Sequence, residues 1–142
     1  MGLDPKALEQ ARRAIGVLTG PLHYEIEKGH VRRFAEAAGV PILEEDGSVI
    51  APPTFLRTCL LPPPPVDFAG VTGLQRVLEG GSEWEFHHPV RSGDSIAVAA
   101  EVKDVREREG RLGTMLITST LATYADQRGQ VMATQLVHRI LY

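Results

Sequence analysis

The chain has 142 residues, 43% hydrophobic and 23% charged. That is the make-up of a globular domain able to bury a substantial core, which sets aside disordered and fibrous classes. A formal net charge of -3 argues against a nucleic-acid partner, which calls for a basic excess, and no apolar run nears the roughly 20 residues of a membrane span. The single cysteine, Cys59, has no intrachain disulfide partner, and the first residues lack the basic-then-apolar pattern of a secretory leader; both fit a soluble, cytoplasmic protein.

In chain order, a first helix is predicted from Asp4, a good N-cap, and Pro5, suited to the first helical position, with Leu8, Ala11 and Ile15 on one face before Gly16. Residues 1–20 form this helix and a lead-in. Leu22, Tyr24 and Ile26 alternate as a short strand. A second helix over 30–38 carries Val31, Phe34, Ala35 and Ala38 as its apolar stripe, and Gly39 and Pro41 stop it. Beyond it comes an acidic turn, Glu44, Glu45, Asp46 and Gly47. A short apolar helix is predicted to start at Pro52 and Pro53 and to run through Phe55, Leu56, Cys59 and Leu60. The prolines at 62–65 end it and read as an extended crossing.

The second half changes character. Trp84, Phe86 and His88 alternate with Glu83, Glu85 and His87, and Ile96, Val98, Ala100 and Val102 share a strand face. Residues 106–110 read as a charged turn. Apolar and threonine-rich strands follow over 112–124 and 130–142, so that three long strands form an antiparallel meander. Early helices and a late meander give an α+β domain occupying 1–142. The apolar sheet needs cover, and the helix near Phe55 is the central candidate.

Few residues announce chemistry. His87 and His88 are neighbours on a strand and point to opposite faces, so they do not share a metal; one is expected packed and the other solvated. Cys59 in its apolar run reads as a buried, inert thiol. Arg32 and Arg33, beside His30, read as a solvated helix face rather than a phosphate site. Glycine-rich phosphate loops and serine nucleophile elbows are absent from the sequence.

Two stretches add a resemblance: Ala51-Pro52-Pro53-Thr54-Phe55, and Gly80-Gly81 through the aromatic strand to His87-His88-Pro89 and Arg91-Ser92-Gly93-Asp94. Together they resemble the MaoC-like dehydratases, and in particular the N-terminal hot-dog half of two-domain hydratases and the first subunit of heterodimeric hydroxyacyl dehydratases. The likeness spans residues 24–142. It implies a long antiparallel sheet wrapped around a central helix, pairing with a second hot-dog chain as a homodimer or heterodimer, and an acyl-thioester substrate on CoA or an acyl carrier. It assigns substrate binding to Ala51, Pro52, Pro53, Thr54 and Phe55, and no metal or organic cofactor.

In active members the helix equivalent to 30–38 leads into Gly-Asp-x-Asn-Pro-x-His, whose Asp and His activate water. Here the stretch reads Ala38-Gly39-Val40-Pro41-Ile42-Leu43. Val40 stands where the Asp would be and no histidine follows, so no residue of this chain is assigned a catalytic role. The expectation is the substrate-binding half of an enoyl-thioester hydratase or 3-hydroxyacyl-thioester dehydratase. The alternatives are a hot-dog acyl-CoA thioesterase using Glu44, Glu45 or Asp46, and a non-enzymatic acyl-thioester-binding or scaffold homodimer.

Overall fold

The structure, a computed structural model, describes residues 2–142. Its centre is one five-stranded antiparallel sheet built from β1 (Leu18–Glu25), β4 (Val77–Phe86), β5 (Ser95–Gly110), β6 (Gly113–Ala125) and β7 (Val131–Leu141), in the order β1-β5-β6-β7-β4. The meander β5-β6-β7 is the middle of the sheet. β1 and β4, which come earlier in the chain, close onto its two sides as edge strands. A small hairpin of β2 (Leu43–Glu45) and β3 (Ser48–Ile50) stands apart. It turns at Asp46 and Gly47, which both have positive φ, so the acidic segment is a strand pair rather than a bare turn.

One face of the sheet is buried. In β5 the inward residues Ile96, Val98, Ala100 and Val102 alternate, and then a bulge between Val102 and Asp104 shifts the phase so that Val105 points inward. The bulge keeps the strand running to Gly110, with the reversal at Arg111 and Leu112. Residues 106–110 are therefore strand, not the turn their charges indicate: alternation is lost at the bulge while the backbone pairing continues.

Two apolar clusters cover this face. The first lies under α2 (Lys28–Ala38) and a 3₁₀ helix (Pro53–Thr58), where Val31, Phe55, Leu56 and Cys59 pack on Val98, Ala122, Tyr124 and Ala133. The second lies under α1 (Pro5–Arg12) and α3 (Phe68–Thr72), where Ala11, Ala14 and Phe68 pack on Val102, Val105, Leu116 and Leu141. Asp4 caps α1 by accepting from the Lys6 backbone N–H at 2.9 Å, as its position predicts. The helix stops at Arg12, so Ile15 leaves the helical face and bridges Val102. β1 already begins at Leu18, inside the segment read as lead-in. Asp67 caps α3 by accepting from Gly70 N–H at 3.1 Å, an element hidden in sequence by the prolines before it.

The central helix is shorter and tighter than predicted. Phe55 N–H donates to Pro52 and Cys59 N–H to Leu56, both three-residue steps, and Cys59 is already extended at φ -83°, ψ 110°. Leu60 lies beyond the end and is 71% exposed. Phe55 is 1% exposed and anchors the element, with its ring edge-on to His30 at 4.8 Å and to Phe34 at 5.5 Å. Close approach also fixes β1 beneath the proline crossing. A Cβ on Gly20, whose φ is +88°, would lie 2.7 Å from Pro62 and 2.8 Å from the Val98 carbonyl.

Phe55 joins α2 to the sheet, so Phe55→Ala is expected to lower the free energy of unfolding by about 3–5 kcal/mol. Urea denaturation followed by circular dichroism measures it, as a lower midpoint at unchanged slope.

Candidate functional site

Three chain segments converge on one cavity of about 440 Å³. Val40, Pro41 and Leu43 arrive from the end of α2, Ile50 to Pro53 and Leu56 from β3 and the 3₁₀ helix, and Phe86 to Val90 from the end of β4. Local chemistry delivers each segment. Gly39 takes the left-handed conformation at φ 70° and closes α2, and Val40 N–H donates back to Ala35 at 3.0 Å, which turns Val40 and Pro41 into the cavity.

The Arg91-Ser92-Gly93-Asp94 motif is the fastener of the opposite wall. Asp94 accepts from Arg91 N–H at 2.9 Å, and Ser92 Oγ accepts from Val49 N–H at 2.9 Å. Gly93, at φ 94°, donates to the Ile26 carbonyl at 2.8 Å. Ala51 N–H donates to Val90 at 2.8 Å and Ser92 N–H to Val49 at 2.8 Å. These bonds tie residues 49–51 and Ile26 to residues 90–94 in one frame, so the motif shapes the cavity without lining it.

The lining is apolar apart from two imidazoles. His87 and His88 both border the cavity, and both backbone N–H groups donate to the Met132 carbonyl, at 2.8 and 3.2 Å. Both side chains are exposed, which corrects the expected split into one packed and one solvated histidine: β4 ends at Phe86, and strict alternation ends with it. His88 Nε2 lies 3.0 Å from Gln130 Nε2, and His87 Nε2 lies 3.9 Å from a Glu85 carboxylate oxygen. Among the described residues no group of three His, Cys, Asp or Glu could hold a metal ion.

Of the residues assigned to substrate binding, Ala51, Pro52 and Pro53 line the cavity; Thr54 and Phe55 do not, Thr54 being exposed and Phe55 held in the core. Glu44 pairs with Arg32 at 2.5 Å and Glu45 with Arg91 at 3.1 Å, so both carboxylates brace the hairpin against its neighbours. Arg32 is solvated, as its helix face predicts, and its pairing with Glu44 was not read from the sequence.

A family model described as the FAS1-like dehydratase domain region matches residues 13–135. The chain belongs to that family. A stretch of 64 residues is 42% identical to a probable enoyl-CoA hydratase alpha subunit of Thermomonospora curvata, covering 44% of this chain but only 20% of that protein. A second relative, a UPF0336 protein of Parafrankia sp., is 29% identical over 114 residues, 71% of this chain and 74% of that one. The ChsH1-ChsH2 complex of Mycobacterium tuberculosis superposes with a TM-score of 0.76 at 16% identity, covering 96% of this chain and 94% of that one. A MaoC-like dehydratase from Rhodospirillum rubrum gives 0.63 at 17% identity, covering 90% and 92%. The fold is thus the hot-dog fold of the MaoC-like dehydratases, as the sequence resemblance implies, and the match reaches further toward the N-terminus than residue 24.

Val40, Pro41 and Leu43 line the cavity, and none of the three side chains can carry a proton. Two other features of the core were not read from sequence. Tyr124 donates from its hydroxyl to Gln135 Oε1 at 2.9 Å, both fully buried, and Trp84 stacks on Tyr124 and on Phe86, each at 5.3 Å. Burial pushes the Tyr124 hydroxyl well above the usual phenol range, so it stays a neutral donor. Gln135 Nε2 is the buried side-chain donor without a partner among the described residues. Burial likewise raises the Cys59 thiol, against a smaller lowering by a hydrogen bond from Thr58.

Two measurements follow from these groups. Because burial disfavours its thiolate, Cys59 should react with a disulfide reagent at pH 8 far more slowly in the folded chain than in urea. Gln135→Leu alone strands the Tyr124 hydroxyl and should cost about 1–3 kcal/mol, while Tyr124→Phe with Gln135→Leu should return to within about 1 kcal/mol of the parent. Chemical denaturation of the three variants reads the difference.

Proposed function

We propose that this chain is the substrate-binding, non-catalytic half of an enoyl-thioester hydratase or 3-hydroxyacyl-thioester dehydratase, and that a second hot-dog chain supplies the aspartate and histidine. The observation that carries the reading is the cavity itself, whose walls are apolar and whose lining, with Val40 and Pro41 at one side, includes no carboxylate. An apolar acyl chain needs such walls; moving a proton needs an ionisable group at the reacting carbon.

The relatives support a two-chain assembly. The enoyl-CoA hydratase relative is itself an alpha subunit, and ChsH1-ChsH2 and the HadBC 3R-hydroxyacyl-ACP dehydratase are complexes of two kinds of chain. This chain has a surface suited to the same arrangement. β4 is an edge strand, exposed along nearly its whole length, and Val77, Leu78 and Phe86 on it are apolar. An open edge of this kind invites another strand or a covering chain.

In the assembled enzyme the partner's pair adds water across the double bond. Hydroxyl joins the β-carbon, a proton joins the α-carbon, and a hydrogen-bond donor at the thioester oxygen holds the charge that develops there. This chain contributes walls from Ala51, Pro52 and Pro53, with Phe55 setting their position from below and Thr54 at the surface. CoA or an acyl carrier belongs to the substrate, and the scheme uses no metal or organic cofactor.

The purified chain alone should show no hydration of crotonyl-CoA, and mixing with its hot-dog partner should restore turnover. The absorbance of the enoyl thioester follows the reaction directly. Turnover by the chain alone would overturn the proposal.

A further inference from the structure

The sheet has two edges, and they are not alike as pairing surfaces. β1 is interrupted: Pro21 in its middle has no N–H to give, and its register slips between Thr19 and Leu22. β4 also slips, between Glu79 and Gly81, but from Gly81 to Phe86 it runs in unbroken register with β7. Among the described residues no strand lies on its other side. Every residue of that stretch keeps its backbone N–H, so the free side is a template for another strand.

The side chains on this edge decide which strand it accepts. Glu83 and Glu85 stand two apart and share one face of the sheet. Trp84 between them turns to the core and stacks on Tyr124, so both carboxylates lie on the face away from the covering helices. Their neighbours on β7 are Leu136 and Thr134, and beyond these on β6 stand Leu121 and Thr123, none of them charged. Among the described residues no salt bridge reaches Glu83, and Glu85, 77% exposed, has only the His87 ring at 3.9 Å. The third carboxylate of β4, Glu79, is already paired with Arg57 at 3.0 Å, and β4 has no lysine or arginine.

A second copy of this chain is a poor complement to that edge. Two antiparallel copies of β4 about a two-fold axis place residues equidistant from the axis opposite one another. Two registers pair most of Gly81–Phe86. With the axis at Trp84, Glu83 of each copy faces Glu85 of the other; with the axis at Glu83, that residue faces its own counterpart. Facing Cβ atoms lie roughly 4.5–5.5 Å apart, where like charges repel and opposite charges attract.

We propose that the β4 edge is a charge-selective docking surface: Glu83 and Glu85 disfavour pairing with a second copy and select a different hot-dog chain whose edge strand carries lysine or arginine opposite them. The inference rests on the half-enzyme reading for there being a partner, and it names that partner's chemistry and the residues that recognise it.

The charge-reversed chain, Glu83→Lys/Glu85→Lys, is the probe, since it is a hot-dog chain with a basic edge. Both glutamates are exposed, so the variant should fold, and an unchanged urea midpoint checks that it does. Parent, variant and their equimolar mixture are compared by sedimentation velocity at neutral pH and low salt. We expect the mixture to form a one-to-one dimer with a dissociation constant at least about tenfold below that of either chain alone. At about 1 M sodium chloride, where charges are screened beyond about 3 Å, that advantage should disappear.

A parent chain that self-associates as tightly as the mixture overturns the proposal, as does a mixture that forms no dimer or an advantage that high salt leaves intact. The test contains neither substrate nor natural partner, so its failure leaves the half-enzyme reading standing. Failure of turnover in the mixed assay likewise leaves the selectivity of this edge standing.

Discussion

Everything in this structure answers to one constraint: a five-stranded sheet has an apolar face that must be kept from water, and among the described residues no helix is longer than the 11-residue α2. Burying that face is the main favourable term in folding, at roughly 25 cal/mol for each Å² removed from water. The solution is piecemeal. α2 and the 3₁₀ helix cover one half through Val31, Phe55 and Leu56, and α1 with α3 cover the other through Ala11, Ala14 and Phe68. Short covering elements have little stability of their own, since helices of a few turns are marginal without tertiary contacts. They must therefore be fastened, which accounts for the density of backbone hydrogen bonds around 49–51 and 90–94.

The cavity is a consequence of that fastening. A single long helix would lie flush on the sheet, whereas three short segments pinned at their ends leave a gap where they meet. Val90, Ala51 and Ser92 hold the frame by main-chain and hydroxyl bonds, so the void does not depend on the polarity of its lining. The apolar side chains of Val40 and Pro41 therefore line the pocket without holding it open. An apolar residue there costs nothing in burial, and a carboxylate against hydrocarbon walls would carry a desolvation penalty.

The same reasoning explains what could be read from the sequence. Elements with a full period announced themselves: Asp4 and Pro5 for α1, the Val31–Phe34–Ala35 stripe and Gly39 for α2, and the alternation from Ile96 to Val102 for β5. Features set by long-range pairing did not. The bulge after Val102 is invisible in a pattern that simply stops alternating, and α3 was masked by the prolines at 62–65, whose influence ends before its Asp67 cap. The 3₁₀ helix was legible in place but not in type, because Leu60 looks as apolar as Leu56, and only tertiary packing separates a buried leucine from an exposed one. At the site, Ala51 to Pro53 were recognisable as a unit, while the cavity position of both histidines required knowing that β4 ends at Phe86.

Tyr124 and Gln135 place a polar side-chain pair in the apolar core. A buried hydroxyl-to-amide bond with an amide donor left over is a worse solution than two apolar side chains of the same size, and the sheet around it, with Ala122 and Ala133 fully buried, has no other side-chain polar group at this depth without a partner among the described residues. Trp84 lies against this pair on one side and against Phe86 on the other, so the polar contact is joined by an aromatic stack to the cavity wall. A rigid polar pair fixes the tyrosine ring, the ring fixes Trp84, and Trp84 in turn limits where Phe86 can stand. On this argument the unfavourable polar contact persists because it fixes the position of the cavity wall, a role that two interchangeable apolar side chains would perform less specifically.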